Sequence, residues 1–239
     1  MKRDVTVIPV NEFESLVVAS DNSGGIGLKN SDIVKTPYEV VSYYCFRVAI
    51  MECMAAGGMP ISVVIHNFCE DNSWNAIVAG VENGLTEMGM SVPITGSTES
   101  NFRLLQSALG TIVIGNRDRR FKEREVSFPE MKLGVIGSPL VGDEVLNKEG
   151  EVLPLSLFRK LCGLEDIVIL PVGSKGVLHE LKVMLGDANL VETSDIICDV
   201  DIHKSGGPST CILAAFPPEL ESTIQNQAAY IYHPLKIVF

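Results

Sequence analysis

Positive charge is scarce in this chain: 19 lysines and arginines stand against 30 aspartates and glutamates, a formal net charge of -11. Proteins that bind nucleic acid or lie on anionic membranes carry a basic patch, so neither partner is expected here. An acidic chain still handles phosphates when a divalent cation mediates the contact. The six cysteines, Cys45, Cys53, Cys69, Cys162, Cys198 and Cys211, include no C-x-x-C pair. That spacing argues against a paired-thiol metal site, and buried thiols are expected rather than disulfides. No apolar run approaches the length of a membrane span. Met1-Lys2-Arg3-Asp4 leads into a short strand rather than an apolar signal segment. Internal repeats and low-complexity tracts are lacking as well. The expectation is a soluble, reduced, cytoplasmic protein with no membrane partner.

What is present is enough to build a large core. The 239 residues are 46% hydrophobic and 21% charged, which suits one large domain or two ordinary ones. Strands are expected over 5–10 and 15–20, separated by a polar turn at Asn11-Glu12. Thr36-Pro37-Tyr38-Glu39 reads as a helix start, with Thr36 capping, Pro37 in the first turn and Glu39 completing a capping box. That helix should run over 40–56 and end at Gly57-Gly58. A strand over 61–68, a helix over 72–88, and strands over 92–94 and 111–114 follow. The charged run 116–125 reads as a solvated linker. Beyond it, strands fit 133–136, 166–172, 196–202 and 211–216, and helices fit 174–185 and 217–227. The expected class is α/β (α+β) in two domains, 1–118 and 125–239, with mixed sheets and helices packed on one side.

The stretch Ser20-Asp21-Asn22-Ser23-Gly24-Gly25-Ile26-Gly27-Leu28-Lys29 directly follows an apolar strand. Three glycines in four positions let a backbone turn sharply and face N–H groups toward anionic oxygens. Asp21 could hold a divalent cation and Lys29 could reach a phosphate. The spacing is neither that of a Walker A loop nor that of a dinucleotide fingerprint. Ordinary turn chemistry has the same composition.

Several segments, taken in order, resemble the superfamily of aminoimidazole ribonucleotide synthetase, selenophosphate synthetase and thiamine-monophosphate kinase. Asp21 and its glycines stand where that family has an acidic, Gly-rich segment. Met51-Glu52-Cys53-Met54-Ala55-Ala56-Gly57-Gly58-Met59-Pro60 resembles its N-D-x-x-A-x-G-A-x-P helix end, with Glu52 at the metal-binding aspartate. Thr95-Gly96-Ser97-Thr98-Glu99 resembles its G-G-[DE]-T turn, and Gly137-Ser138-Pro139-Leu140-Val141-Gly142-Asp143 its G-x-x-x-G-D phrase. Ser205-Gly206-Gly207 through Phe216-Pro217-Pro218-Glu219 is similar to the segment ending in V-P-P-E. The wording of "ASDNSGGIG", "ECMAAGGMP", "HNFCEDNSWN" and "TGSTESNFRLLQSALG" together resembles the short branch of α-ribazole kinases, often called α-ribazole-5′-phosphate synthases.

This resemblance implies an aminoimidazole ribonucleotide synthetase-like fold and transfer of the ATP γ-phosphoryl group to the 5′-hydroxyl of α-ribazole. It implies Mg²⁺, and a homodimer through the N-terminal domain. On it, Asp21, Glu52 and Glu99 are the expected metal ligands, and Asp21, Glu99 and Lys175 the expected catalytic groups. Asn22, Ser23, Gly24, Gly25, Gly27, Lys29, Gly96, Ser97 and Thr98 are the expected ATP contacts. Three family acids are replaced, by Ser97, by Lys175 in Ser174-Lys175-Gly176, and by Pro208 in Gly206-Gly207-Pro208-Ser209. Those replacements suit a different acceptor, and equally a nucleotide-binding protein without turnover. Another ATP-using synthetase of the superfamily would have the same ATP-side residues.

Each of these residues also has a plain reading. Asp21 and Glu99 suit polar turns, Glu52 a solvated helix face, and Lys29 and Lys175 exposed surface. His66, at the end of a strand, could act as a base or touch the acceptor. Trp74 and Phe68 offer aromatic faces to a flat base, and such rings more often pack cores. The position of His179 beside Leu178 and Leu181 leaves its exposure open.

Overall fold

The computed structural model describes residues 3–122, 126–127, 130–186 and 195–238. The chain divides into two compact units, Asp4–Phe121 and the residues from Lys122 onward together with Arg3.

The first unit runs β1 (Val5–Pro9), β2 (Glu14–Gly24), β3 (Ile26–Gly27), β4 (Val34–Lys35), α1 (Tyr38–Ala55), β5 (Met59–Asn67), α2 (Trp74–Glu87), β6 (Ile94–Thr98) and β7 (Ala108–Asp118). Its sheet has the order β1-β2-β7-β5-β6, with β5 and β6 parallel and the other neighbours antiparallel. Strand alternation sorts the side chains. Ser15, Val17 and Ala19 of β2, with Leu109, Thr111 and Val113 of β7, are buried toward the helices. Helix α1 buries Val41, Cys45, Phe46, Arg47, Ala49, Ile50, Met51 and Cys53, more than one face of a helix, because it lies between the sheet and α2. The two helices cross closely at Gly80, where a Cβ would collide with the Glu39 carbonyl and the Ser42 hydroxyl.

Several elements differ from the sequence expectation. Pro37 is the N-cap of α1, no side chain caps it, and Thr36 is buried. The Glu39 carboxylate instead accepts from the Asn83 amide of α2 at 2.7 Å. The expected capping box is therefore replaced by a bond between helices. Gly57 and Gly58 do end α1, their N–H groups returning to the Met54 and Cys53 carbonyls. Strand β2 continues through Asp21 to Gly24 where a turn was expected, and β6 takes in Thr95 to Thr98, read beforehand as a turn. Residues 116–118, expected in a linker, belong to β7. The cause is pairing: β2 and β7 match from Glu14↔Asp118 to Gly24↔Ala108, and a ladder of that length overrides local turn preference.

The second unit contains β8 (Lys132–Ile136), α3 (Asp143–Asn147), α4 (Leu155–Cys162), β9 (Val168–Pro171), α5 (Gly176–Leu185), β10 (Ile196–Ile197), β11 (Ile212–Phe216), α6 (Glu221–Ala228) and β12 (Tyr232–Ile237). Its antiparallel sheet has the order β10-β12-β8-β11-β9. Every residue of β9 and β11 is buried. Leu133, Val135, Leu170, Leu213 and Ala215 form one core with Val177, Leu181 and Met184 of α5. The strand expected over 196–202 is confined to Ile196–Ile197, and the helix expected over 217–227 begins as a 3-10 turn, Pro218–Leu220. No sequence signal was read for α3, α4 or β12. Pro234 masks β12, since proline is a poor strand residue. It sits opposite Gly134 of β8, beyond the short reach of β10, which pairs only with Lys236 and Ile237. Among the described residues no helix is long and apolar enough to cross a membrane.

Candidate functional site

One end of the first sheet gathers most of the expected site. There β2 ends, β7 begins, and the parallel strands β5 and β6 finish together. Register defines two sets of side chains at this end. On the helix-free face a row crosses four strands: Asn22 opposite Gly110, Gly110 opposite His66, His66 opposite Ser97. Asn22, His66 and Ser97 are exposed. Gly110 adds no side chain between Asn22 and His66, so the row has a gap at its centre. On the helix side, Asp21 stands opposite Thr111, and Ser23 opposite Leu109.

Asp21 is not the exposed turn acid that its local sequence suggests. Burial pushes its carboxyl up to about 6, against the opposing pull of the Asn22 backbone N–H and the Cys45 thiol that hydrogen-bond it. Burial, and then the neighbouring Asp21 charge, push the Cys45 thiol up to about 12. Thr111 is 1% exposed and its hydroxyl faces the Cys45 thiol, whereas the buried Ser23 hydroxyl has no hydrogen-bond partner. An unmatched hydroxyl beside a desolvated carboxylate leaves polar capacity that a ligand oxygen or a cation could complete.

The Gly-rich stretch is folded back and pinned. The Gly25 N–H donates to the Ser107 carbonyl at 2.8 Å and the Lys29 N–H to the Asp32 carboxylate at 2.8 Å. These two amides are therefore committed to protein rather than open to phosphate. Gly27 packs so tightly that a Cβ would come within 2.7 Å of the Tyr38 ring. The Lys29 ammonium donates to the carbonyls of Phe68 at 2.9 Å and Leu104 at 3.0 Å, and Lys35 donates to the Lys29 carbonyl. Lys29 is thus a clip between loops in this structure rather than a free phosphate ligand.

Asp32, which the sequence reading passed over, anchors the arrangement. It accepts the Ser107 N–H and the Ser107 hydroxyl, both at 2.7 Å. Burial raises its pKa, but these bonds, the Lys29 amide and the Lys35 charge outweigh it and leave the carboxyl below its usual range. Asn67 was missed too. Its side chain accepts from the Cys69 N–H and the Ser73 hydroxyl and donates to the Glu70 carbonyl and the Thr98 hydroxyl. It thereby fixes the ends of β5 and β6 and the start of α2. Asn67 is 1% exposed, and nothing local in His66-Asn67-Phe68 signals that burial.

The remaining expected residues divide. Thr98 is tied to Asn67, and Glu99 accepts from the N–H groups of Asn101 at 2.7 Å and Phe102 at 3.1 Å, bracing the loop to β7. Gly96 is a packing glycine, where a Cβ would meet the Ile65 carbonyl and the Trp74 ring. Trp74 accordingly packs on the sheet, whereas Phe68 is 39% exposed near the site. Glu52 stands elsewhere: Cys45 touches Asp21 while Cys53 lies by Val17 and Gly58, so α1 runs antiparallel to β2. Seven residues separate Glu52 from Cys45, about 10 Å of helix. Among the described residues no group of three or more His, Cys, Asp or Glu could hold a metal ion, so Asp21, Glu52 and Glu99 do not form the expected ligand set. Lys175 belongs to the second unit, exposed at the N-cap of α5, and His179 lies partly buried one helical turn on.

Together, two α/β units of this topology define an aminoimidazole ribonucleotide synthetase-like fold. Thiamine-monophosphate kinase from Stenotrophomonas maltophilia K279a superposes with a TM-score of 0.62 at 15% identity, covering 98% of this chain and 87% of that one. The kinase from Aquifex aeolicus gives 0.60 at 12%, covering 99% and 89%. PurL of Thermotoga maritima complexed with ATP gives 0.61 at 14%, covering 98% of this chain and 42% of that one. The chain thus spans less than half the length of the T. maritima protein. No protein-family model and no curated protein matches the sequence.

Proposed function

We propose that the protein is an ATP- and Mg²⁺-dependent kinase that phosphorylates the 5′-hydroxyl of α-ribazole. The observation that carries this reading is the end of the first sheet. There the helix side carries a desolvated Asp21 with the Ser23 and Thr111 hydroxyls, and the opposite face carries the exposed row Asn22, His66 and Ser97. The shared fold with a T. maritima PurL complexed with ATP and with thiamine-monophosphate kinases supports the nucleotide half. The motif wording supports the acceptor. Phosphoryl transfer asks for positioning and charge neutralisation. The acceptor oxygen bonds to the γ-phosphorus, the bond to the ADP oxygen breaks, and the hydroxyl proton leaves to solvent. Mg²⁺, when bound, neutralises charge on the β and γ phosphates, and such an ion commonly takes one or two carboxylates plus phosphate oxygens. Asp21 is the residue that would hold it, with the Thr111 hydroxyl nearby.

A homodimer through the first unit belongs to the same proposal, since Leu16, Val18, Val64, Ile112 and Ile114 line a helix-free face and are only half buried. So does a cytoplasmic setting, supported by cysteines of which none forms a disulfide. The test is mass-spectrometric detection of α-ribazole 5′-phosphate after incubation with Mg²⁺-ATP, with thiamine monophosphate as comparison acceptor and sedimentation of the same preparation. The monophosphate, from a species of twice the chain mass, is the expected result. Free phosphate with a condensed product would point to a synthetase. ATP binding without ADP formation on any acceptor would favour the non-catalytic reading, which the dispersal of the three acids supports.

A further inference from the structure

The second unit holds a cavity of about 320 Å³ that the catalytic reading does not use. It opens between the start of α4 and the turn that follows α6. Leu157 and Ile231 supply apolar floor, and the ring of Tyr230 stands over it as a wall. Tyr230 is 77% exposed, yet its hydroxyl donates to the Gly150 carbonyl at 2.9 Å, which pins the ring in place. The preceding Ala229 adopts φ 48° and ψ -123°, a backbone region that a residue with a Cβ rarely enters, and this turn aims the ring. Besides Tyr230, residues with polar side chains are few along the lining: Ser156, Gln227 and Lys160. Lys160 is the one charged residue lining the cavity, in a chain whose formal net charge is -11. Ser156 and Lys160 are four residues apart on α4 and so project from the same side of that helix.

We propose that this cavity is a ligand site for a small organic anion with a flat apolar body, a carboxylate or phosphate monoester held by Lys160 and Ser156 with its ring against Tyr230. The volume lies at the lower end of the range of small-molecule pockets, roughly 300–1,000 Å³, and an apolar lining with a few convergent polar groups is their usual composition. An ammonium at the rim of a partly enclosed apolar space attracts an anion more strongly than one in open water. A flat ring meeting Tyr230 in an offset or edge-on arrangement adds contact that a bare inorganic anion cannot make.

Titration calorimetry on the full chain with phenyl phosphate, benzoate and inorganic phosphate tests this, with Lys160→Gln and Tyr230→Ala as variants and ATP titrated in parallel. Lys160 is exposed, so its loss leaves the fold intact, as a thermal melt will verify. The expected result is binding of phenyl phosphate or benzoate that weakens at least tenfold in Lys160→Gln and several-fold in Tyr230→Ala, with ATP binding unaltered. Preference for phenyl phosphate identifies a phosphate-bearing ligand, and preference for benzoate a carboxylate. Absence of binding by either probe, equal affinity in Lys160→Gln, or inorganic phosphate binding as tightly as phenyl phosphate would overturn the proposal.

Discussion

Replacing Asp21 with asparagine should make the protein more stable at neutral pH while removing turnover. The carboxyl titrates near 3.8 in an unfolded chain and at about 6 when folded, because the sheet and α1 strip it of water. The folded state therefore binds the proton more tightly than the unfolded state. The penalty for folding with an ionised Asp21 is absent below 3.8, grows as pH rises from 3.8 to 6, and is complete above 6. At about 1.36 kcal/mol per pH unit it amounts to about 3 kcal/mol. Asparagine removes the charge but still buries an amide, so about half is recovered, ~1.5 kcal/mol. For a unit of this size that raises Tm by roughly 5 °C. Thermal melts of both proteins, without nucleotide or Mg²⁺, at pH 7.5, 5 and 4 measure it. The gap should be largest at pH 7.5, close near pH 5, where the falling charge penalty matches the cost of the buried amide, and reverse by about 1 kcal/mol at pH 4, where the wild type becomes the more stable protein. A variant less stable than the wild type at pH 7.5, or a gap independent of pH, would refute the assignment of Asp21 as a desolvated carboxylate. Loss of phosphoryl transfer by orders of magnitude in the stabilised variant would identify that strain as functional.

Lys29→Ala removes the clip to the Phe68 and Leu104 carbonyls, partly exposed bonds worth about 1 kcal/mol together. Amide exchange across residues 99–107 should quicken; unchanged exchange with weakened ATP binding would instead make Lys29 a ligand contact. Gly80→Ala drives a methyl group into the Glu39 carbonyl and the Ser42 hydroxyl and should destabilise the first unit by about 1–3 kcal/mol. A Tm within a degree of the wild type would mean that α1 and α2 can separate there without loss.

Element types were legible where hydrophobic periodicity and termination signals agreed. The helix ending at Gly57-Gly58 and the buried β8, β9 and β11 are examples. Boundaries failed where a long-range partner decided them. Nothing local in Ser20-Asp21-Asn22-Ser23-Gly24 reveals that residues 108–112 lie alongside, so turn-forming composition was read as a turn. Asp32 escaped notice because its partner, Ser107, is 75 residues away. Asn67 escaped because a hub asparagine differs from a loop asparagine only in its burial, and burial is a property of the fold.

The extended course of β2 also settles what kind of site this end of the sheet can be. Had residues 21–24 formed a turn, Asp21, Asn22 and Ser23 could all have faced one ligand. In a strand they alternate: Asp21 and Ser23 face α1, while Asn22 faces the open side with His66 and Ser97. Neither face alone presents both the carboxylate and the exposed row. A ligand in contact with both sets has to sit beyond the strand ends, where the two faces meet and the loop carrying Phe102 passes. The same geometry removes Glu52, which lies at the Val17 end of the sheet, and leaves Glu99 to shape that loop through the Asn101 and Phe102 amides rather than to hold a cation. If phosphate oxygens bind here, Asp21 is the acid of the first unit placed to meet them.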